Sequence, residues 1–285
     1  SNIQIYLLPI KPVKVDNLSV DSCWFSAPVF LTGQQLKLNV RLKNSGNSSF
    51  EKVPLSLILN GRQRAISSAS IPANQSKLID LSFNLDEAGL KQGYLEISDY
   101  PVTFDDKMFI SFKVKPEIPV MIINGHSSNP YLQALFEGDS AVRLNSVRLE
   151  QLDYSTINAS SLVILNHLES ISSGLADALK RFVESGGSLL LVPEMDAPDL
   201  NSYNTLLRML GANTFDKLDT MASRVDYINA DHPFFEDVFE EIPDNIDLPF
   251  VNKHYRIDQR VTANRDILFS MPNGGVFLSV TRYGK

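Results

Sequence analysis

The chain has 285 residues, 44% of them hydrophobic and 21% charged, with a formal net charge of −7. That length holds about two domains with separate cores, and the acidic balance excludes a nucleic-acid or anionic-lipid surface, which needs a basic stripe. A single cysteine, Cys23, excludes an internal disulfide and any Cys-based zinc cluster.

No stretch approaches the roughly 18 consecutive apolar residues that span a bilayer, and the start lacks a charged-then-apolar signal pattern. The chain opens on Ser1-Asn2 and closes on Tyr283-Gly284-Lys285 straight after a strand-like run, so it is expected to be part of a longer protein whose anchors lie outside it. Asn-x-Ser triplets begin at Asn17, Asn47, Asn74 and Asn158, in Ser/Asn-rich segments where composition alone produces them.

Residues 1–15, with Pro9 and Pro12, read as a linker or edge strand. From 16 to 115 the pattern has period two. Leu36, Leu38, Val40 and Leu42 alternate with Lys37, Asn39, Arg41 and Lys43, the mark of a strand with one buried face. Similar runs lie at 53–60, 77–85 and 107–114, weaker ones at 18–25 and 94–98, and Asn60-Gly61 is a strong two-residue hairpin signal. About six short strands in about 100 residues predict an all-β immunoglobulin-like sandwich. Asp99, Asp105 and Asp106 suggest a calcium cluster but read equally well as loop residues beside strands, since calcium needs six or more oxygens. A carbohydrate-binding sandwich would need exposed aromatics, for which Trp24, Phe25 and Tyr100 are the candidates.

Pro116 and Pro119 bracket a change to continuous apolar runs, and a second domain is expected over 116–285, cut short at its C-terminus. The runs 120–124, 161–166 and 188–192 read as buried strands. Helices are expected after Asn129-Pro130, after Ser172 or Ser173 with Gly186 as stop, and around 202–210. A further helix start is read at Asp231-His232-Pro233, leading to Val238 and Phe239. The closing runs 248–257, 266–270 and 275–283 read as strands, the last two a hairpin. The order predicts a doubly wound α/β layer with ligands at the strands' carboxyl ends.

Those ends carry Asn124-Gly125-His126, Asn166-His167 and Pro193-Glu194. His126, His167 and Glu194 are the candidate catalytic residues, able in principle to hold a zinc ion or to supply a general base, although no short local spacing ties them together. The plainer reading is of loop-capping histidines; His232 reads as part of a helix start and His254 as part of a strand. No Gly-x-Ser-x-Gly elbow, Walker loop or Gly-x-Gly-x-x-Gly follows a strand.

The segment LVILNHLESIS…LKRFVESGGSLLLVPE resembles the class I glutamine amidotransferase-like domains, especially their non-catalytic versions in large bacterial membrane-anchored proteins. The preceding LKLNVRLKNSGNSSFEKVPLSLILNGR and ISDYPVTFDDKMFISFKV resemble the immunoglobulin-like modules of those proteins. Together they resemble Bacteroidetes BatA-type, aerotolerance regulator-like proteins, whose relatives carry hydrophobic anchors and often a von Willebrand A domain. The resemblance implies a flavodoxin-like three-layer α/β second domain, and a place on the extracytoplasmic, periplasmic face of the membrane. An active amidotransferase places a Cys in a Gly-x-Cys-x-Gly turn after a strand, where this chain has Pro193-Glu194-Met195, and Cys23 lies in the other half. A carboxylate cannot replace a thiolate in thioester chemistry, so the expectation is a pseudoenzyme without cofactor or metal, binding protein partners and no nucleic acid, and attached to the membrane only through segments outside this chain. The competing expectation is a hydrolase or sugar-processing enzyme using His126, His167 and Glu194.

Overall fold

Period-two alternation builds the first half of the molecule. The computed structural model describes residues 15–27, 29–100, 102–235, 238, 246–258 and 265–283, in two units that meet between Glu117 and Ile118. In the first unit, strands β1 (Leu18–Phe25), β2 (Phe30–Leu31), β3 (Gln35–Asn44), β4 (Phe50–Leu59), β5 (Arg62–Ile71), β6 (Ser76–Asn84), β7 (Gly89–Glu96) and β8 (Lys107–Lys115) form two sheets, β1-β3-β6 and β2-β8-β7-β4-β5. Leu36, Leu38, Val40 and Leu42 of one sheet and Val53, Leu55, Leu57 and Leu59 of the other share one core. Each such leucine stabilises the fold by about 2 kcal/mol relative to exposure. Asn60 and Gly61 take φ of 49° and 74°, the left-handed pair that closes the β4–β5 hairpin. Of residues 1–15, read as a linker or edge strand, only Val15 lies among the described residues.

In the second unit, β9 (Ile118–Asn124), α1 (Pro130–Glu137), β10 (Val142–Arg148), β11 (Leu162–Asn166), α2 (Ser173–Glu184) and β12 (Ser188–Val192) make a parallel four-stranded sheet in the order β10-β9-β11-β12, followed by α3 (Leu200–Met209). Met121, Ile123, Val163 and Leu165 pack with Leu175, Leu179 and Phe182 of α2 and Tyr203 and Leu206 of α3. Val120, Ile122 and Ile164, on the opposite face, meet Leu132 and Phe136 of α1. Ser172 caps α2 through the N–H of Leu175 at 3.2 Å, and Gly186, at φ 96°, ends it.

Beyond α3 the chain returns to short antiparallel strands: β13 (Phe215–Asp219), β14 (Ser223–Arg224), β15 (Tyr227–Ile228), β16 (Phe250–Val251), β17 (His254–Ile257), β18 (Arg265–Ser270) and β19 (Val276–Thr281). They pair as β13-β17, β14-β16 and β15-β18-β19. The run 248–257 is therefore two strands with different partners, and the helix start read at Asp231 is a single 3₁₀ turn, Pro233–Phe235. Phe239, assigned to that helix, lies outside the described residues.

The expected fold class, a sandwich followed by a flavodoxin-like, amidotransferase-like three-layer α/β domain over 116–285, is corrected by this architecture. The described residues hold nineteen strands and only three α-helices. A three-layer domain needs a crossover helix for each added parallel strand and well-buried helices on both faces. Here α3 leads into no parallel strand, everything after it pairs antiparallel, and α1 has no buried residue. The apolar runs at 120–124, 161–166 and 188–192 led to the α/β expectation because they do form a parallel sheet, but one that ends at β12.

Candidate functional site

Each strand of the parallel sheet ends on a polar group, and most of those groups are used by the structure itself. Asn124 and Asn166 stand opposite one another in the β9–β11 register and are 2% and 1% exposed. Asn166 Nδ2 donates to Asn124 Oδ1 at 2.8 Å, and Asn124 Nδ2 donates to Ser146 Oγ at 2.9 Å and to the carbonyl of Val147 at 3.2 Å. This amide ladder runs across three adjacent strands and satisfies side chains that would otherwise be costly to bury.

The three residues singled out from sequence are divided between two pairs. His126 Nε2 lies 2.7 Å from Glu169 Oε1, with both side chains about two-thirds exposed (67% and 68%), a pairing that Glu169 gave no sequence sign of. His167, in the left-handed conformation at φ 50°, has Nδ1 3.9 Å from Glu194 Oε2, beyond the reach of a hydrogen bond. Among the described residues no three His, Cys, Asp or Glu side chains already surround a common point where a metal would sit.

Glu194 has a structural task. Its Oε1 accepts the N–H groups of Met195 at 2.7 Å and Asp196 at 3.0 Å, its own N–H donates to Tyr203 Oη at 3.3 Å, and its carbonyl accepts the Tyr255 hydroxyl at 3.0 Å. Since an amide oxygen can accept the same two N–H groups, Glu194→Gln is expected to change stability by less than about 0.5 kcal/mol and Glu194→Ala to lower it by about 1 kcal/mol, measured by urea denaturation. Equal losses in the two variants would show that the charge, and not the turn, is what the site needs.

The remaining histidines separate. His232 accepts the N–H of Phe234 on Nδ1 at 3.0 Å and lies 3.2 Å from Asp266, an ordinary local role. His254 is buried with no hydrogen-bond partner on Nδ1, and lines a cleft of about 630 Å³ with Asp219, Arg256, Asn273 and Gly275. Arg256 donates to Asp219 Oδ2 from Nε at 3.0 Å and from the terminal nitrogen at 2.7 Å. The Met221 N–H first, and Arg256 second, hold the Asp219 carboxyl below the usual carboxylate range. Sequence reading missed this cleft because its residues come from three separate short strands and a turn.

In the first unit, burial pushes the Cys23 thiol up. Phe25 is half-buried and packs against the core, with ring centroids 4.5 Å from Phe30 and 4.8 Å from Phe112, whereas Trp24 is 40% exposed with Arg41 over its ring. Asp99 and Asp106 are buried near Asp105, and burial first, then the neighbouring carboxylates, raise the Asp106 carboxyl.

No protein-family model and no curated protein matches this sequence. Solved structures give distant likenesses. The CARDB domain of the PF1109 protein from Pyrococcus furiosus, determined in complex with di-metal ions, is 13% identical with a TM-score of 0.33, over 38% of this chain and 100% of that one. A domain from Methanosarcina acetivorans described as belonging to a cell-surface protein is 14% identical with a TM-score of 0.31, over 36% of this chain and 94% of that one. A β-glucosidase from Listeria innocua in complex with glucose is 15% identical with a TM-score of 0.27; the match covers 35% of this chain and only 16% of the enzyme. At such TM-scores these likenesses carry no argument about what this chain does.

The outward face of the five-stranded sheet carries an apolar group that the sequence pattern hid. Ile66 on β5, Ile58 on β4, Tyr94 on β7 and Phe109 on β8 come from four consecutive strands of the sheet. Ile66 is 61% and Phe109 78% exposed, and the Tyr94 and Phe109 rings lie 5.8 Å apart. Among the described residues no helix is long and apolar enough to cross a membrane.

Proposed function

We propose that this chain is a non-catalytic binding and scaffold region on the extracytoplasmic side of a bacterial membrane, part of a BatA-type protein anchored by segments outside the chain. The observation that carries this reading is the apolar group Ile66, Ile58, Tyr94 and Phe109 on the outward face of the five-stranded sheet, where Leu90 is also exposed. Ile58, Tyr94 and Phe109 stand opposite one another across β4, β7 and β8, Ile66 on β5 stands opposite Ser56, and Ile66 and Phe109 are the exposed members of the group. Exposed apolar side chains grouped on a sheet face mark a contact surface, and aromatic residues concentrate where protein interfaces bind most strongly. Asn124, Asn166 and Glu194 support the non-catalytic part, because the amide ladder and the Glu194 turn commit these three strand-end groups to structure.

The test is affinity capture of the full-length protein from native membranes, beside Phe109→Asp and Ile66→Asp variants. Both side chains are solvent-facing, so the variants should fold with melting temperatures within about 2 °C of the parent. Recovery of a specific partner is expected to fall about tenfold or more in each. No reproducible partner, or recovery equal to the parent in both variants, would rule the surface out. The complete reading frame tests the tethering, since flanking hydrophobic segments are required by it.

A further inference from the structure

Past α3, the β13–β17 ribbon and the turn between β18 and β19 wall the cleft of about 630 Å³ within the second unit, a volume in the range of small-molecule sites. Asp219 stands opposite His254 in the β13–β17 register, and Arg256, two residues on, shares the face of His254. These three side chains line the cleft together with Asn273, Gly274 and Gly275 of the turn. The turn is held by its own bonds: the Gly275 carbonyl accepts the Met271 N–H at 2.8 Å, and Asn273 Oδ1 accepts the Gly275 N–H at 2.9 Å. A Cβ on Gly275 would sit 2.8 Å from His254 Nε2, so a glycine is what lets the turn close on the imidazole.

Two features of this cleft point to a ligand. His254 is 6% exposed, yet its Nδ1 has no hydrogen-bond partner, a burial that the fold leaves uncompensated. The cleft also offers donors and acceptors side by side. Arg256 uses Nε–H and one terminal N–H on Asp219 Oδ2, which leaves its remaining N–H groups as donors, and Asn273 keeps its Nδ2 group. The exposed Asp216 carboxylate supplies acceptors at the rim. We propose that the cleft binds an uncharged sugar, a conclusion independent of the partner-binding reading of the first unit. A hydroxyl donates and accepts at once, so it matches a guanidinium N–H and a carboxylate oxygen together. A phosphate or carboxylate ligand would instead meet Asp216 and Asp219, and an ammonium ligand would meet Arg256. Because Asp219 and Arg256 neutralise each other, neither kind of ion finds a net counter-charge in that pair. Met221, Ile257 and Val276 supply apolar surface for the C–H groups of a sugar ring. His254 Nδ1 is itself buried, so the imidazole turns on binding to present it, and a hydroxyl serves either tautomer, donating to a bare nitrogen or accepting from an N–H.

The probes are D-glucose, D-galactose, D-mannose and N-acetyl-D-glucosamine, added to the full chain and followed by saturation-transfer NMR, with acetate and methylammonium as charged comparisons. At least one sugar is expected to bind saturably with a dissociation constant of about 1–10 mM, and more tightly than either ion. His254→Phe keeps a ring of similar volume and removes both nitrogens, so it is expected to weaken that sugar about fivefold or more. Its melting temperature should stay level with the parent or rise, since Nδ1 makes no bond within the protein. Asn273→Ala, exposed at the turn, is expected to weaken the sugar about threefold, and Asp177→Asn, exposed on α2, to leave it unchanged. Should His254→Phe not fold, Asn273→Ala carries the comparison. The proposal is overturned by no saturable binding of any of the four sugars up to about 50 mM, or by tighter binding of acetate or methylammonium. An affinity undiminished in a folded His254→Phe, or in Asn273→Ala if that variant does not fold, overturns it equally.

Discussion

Gly125→Ala is expected to destabilise the second unit by about 3 kcal/mol, the largest loss expected there from adding a single methyl group. A Cβ at this position would sit 2.0 Å from the carbonyl oxygen of His167 and 2.9 Å from its carbonyl carbon. Both atoms are backbone, so no rotamer change relieves the clash. His167 turns its carbonyl toward Gly125 because it leaves β11 in the left-handed conformation, a cost that its own N–H bond to the Val192 carbonyl helps to offset. The Gly125 N–H also donates to the Asn166 carbonyl at 3.0 Å, so a shift there would disturb the amide ladder next to it. Gly174→Ala is the control: its Cβ would meet only the Tyr154 ring edge, at 3.4 Å, and the gain in helix propensity should leave stability unchanged or raised by a few tenths of a kcal/mol. Urea denaturation followed by circular dichroism checks both variants. If Gly125→Ala unfolded within about 1 kcal/mol of the parent, the close crossing of the two strand ends would be refuted.

That crossing shows where sequence reading stops. Alternation placed Leu36, Leu38, Val40 and Leu42 on one buried face, and all four are in the core, because a strand with one wet side writes its orientation into consecutive residues. Strand β5 escaped notice since Arg62, Gln63, Arg64 and its serines carry no such alternation; pairing with β4 through the Asn60-Gly61 turn specifies it instead. The helix caps at Asn129 and Ser172 were legible as local chemistry. The strand-end residues were legible one by one, but not which histidine would meet which carboxylate, since parallel register is set by helices between the strands. Asn17 and Asp99 stand 82 residues apart in the chain, and nothing local announces that the Leu18 N–H will draw them together. The α/β expectation failed for the same reason: three apolar runs announce a parallel sheet, but its end is decided by the residues after Leu210, where the strands are short and their partners distant.

Tyr203 falls within the helix expected around 202–210, where nothing in the sequence marks its hydroxyl, yet that hydroxyl locks the end of β12. It is 0% exposed, donates to the Leu168 carbonyl and accepts the Glu194 N–H. Tyr203→Phe keeps the ring in the core but leaves two backbone groups unpaired, an expected loss of about 2–4 kcal/mol near neutral pH. The pH dependence identifies the cause. Burial first, with the Glu194 charge adding to it and hydrogen bonds opposing it, pushes the Tyr203 phenol up to about 12 from an ordinary value of 10.0. Because the folded value is the higher one, the unfolded chain releases this proton first as pH rises. The stabilisation is therefore complete below pH 10 and is lost progressively between pH 10 and 12. Tyr255, also raised, chiefly by burial and then by Glu194 and Asp196, titrates in the same direction in both proteins, and its own charge is one of the smaller causes that raise Tyr203. The deficit of Tyr203→Phe relative to the parent should hence be constant from about pH 7 to 9.5 and narrow above pH 10, in parallel denaturation series. A deficit that stays the same up to about pH 11.5 would mean that the phenol is not buried in this bond, and would remove Tyr203 as the clamp on Glu194.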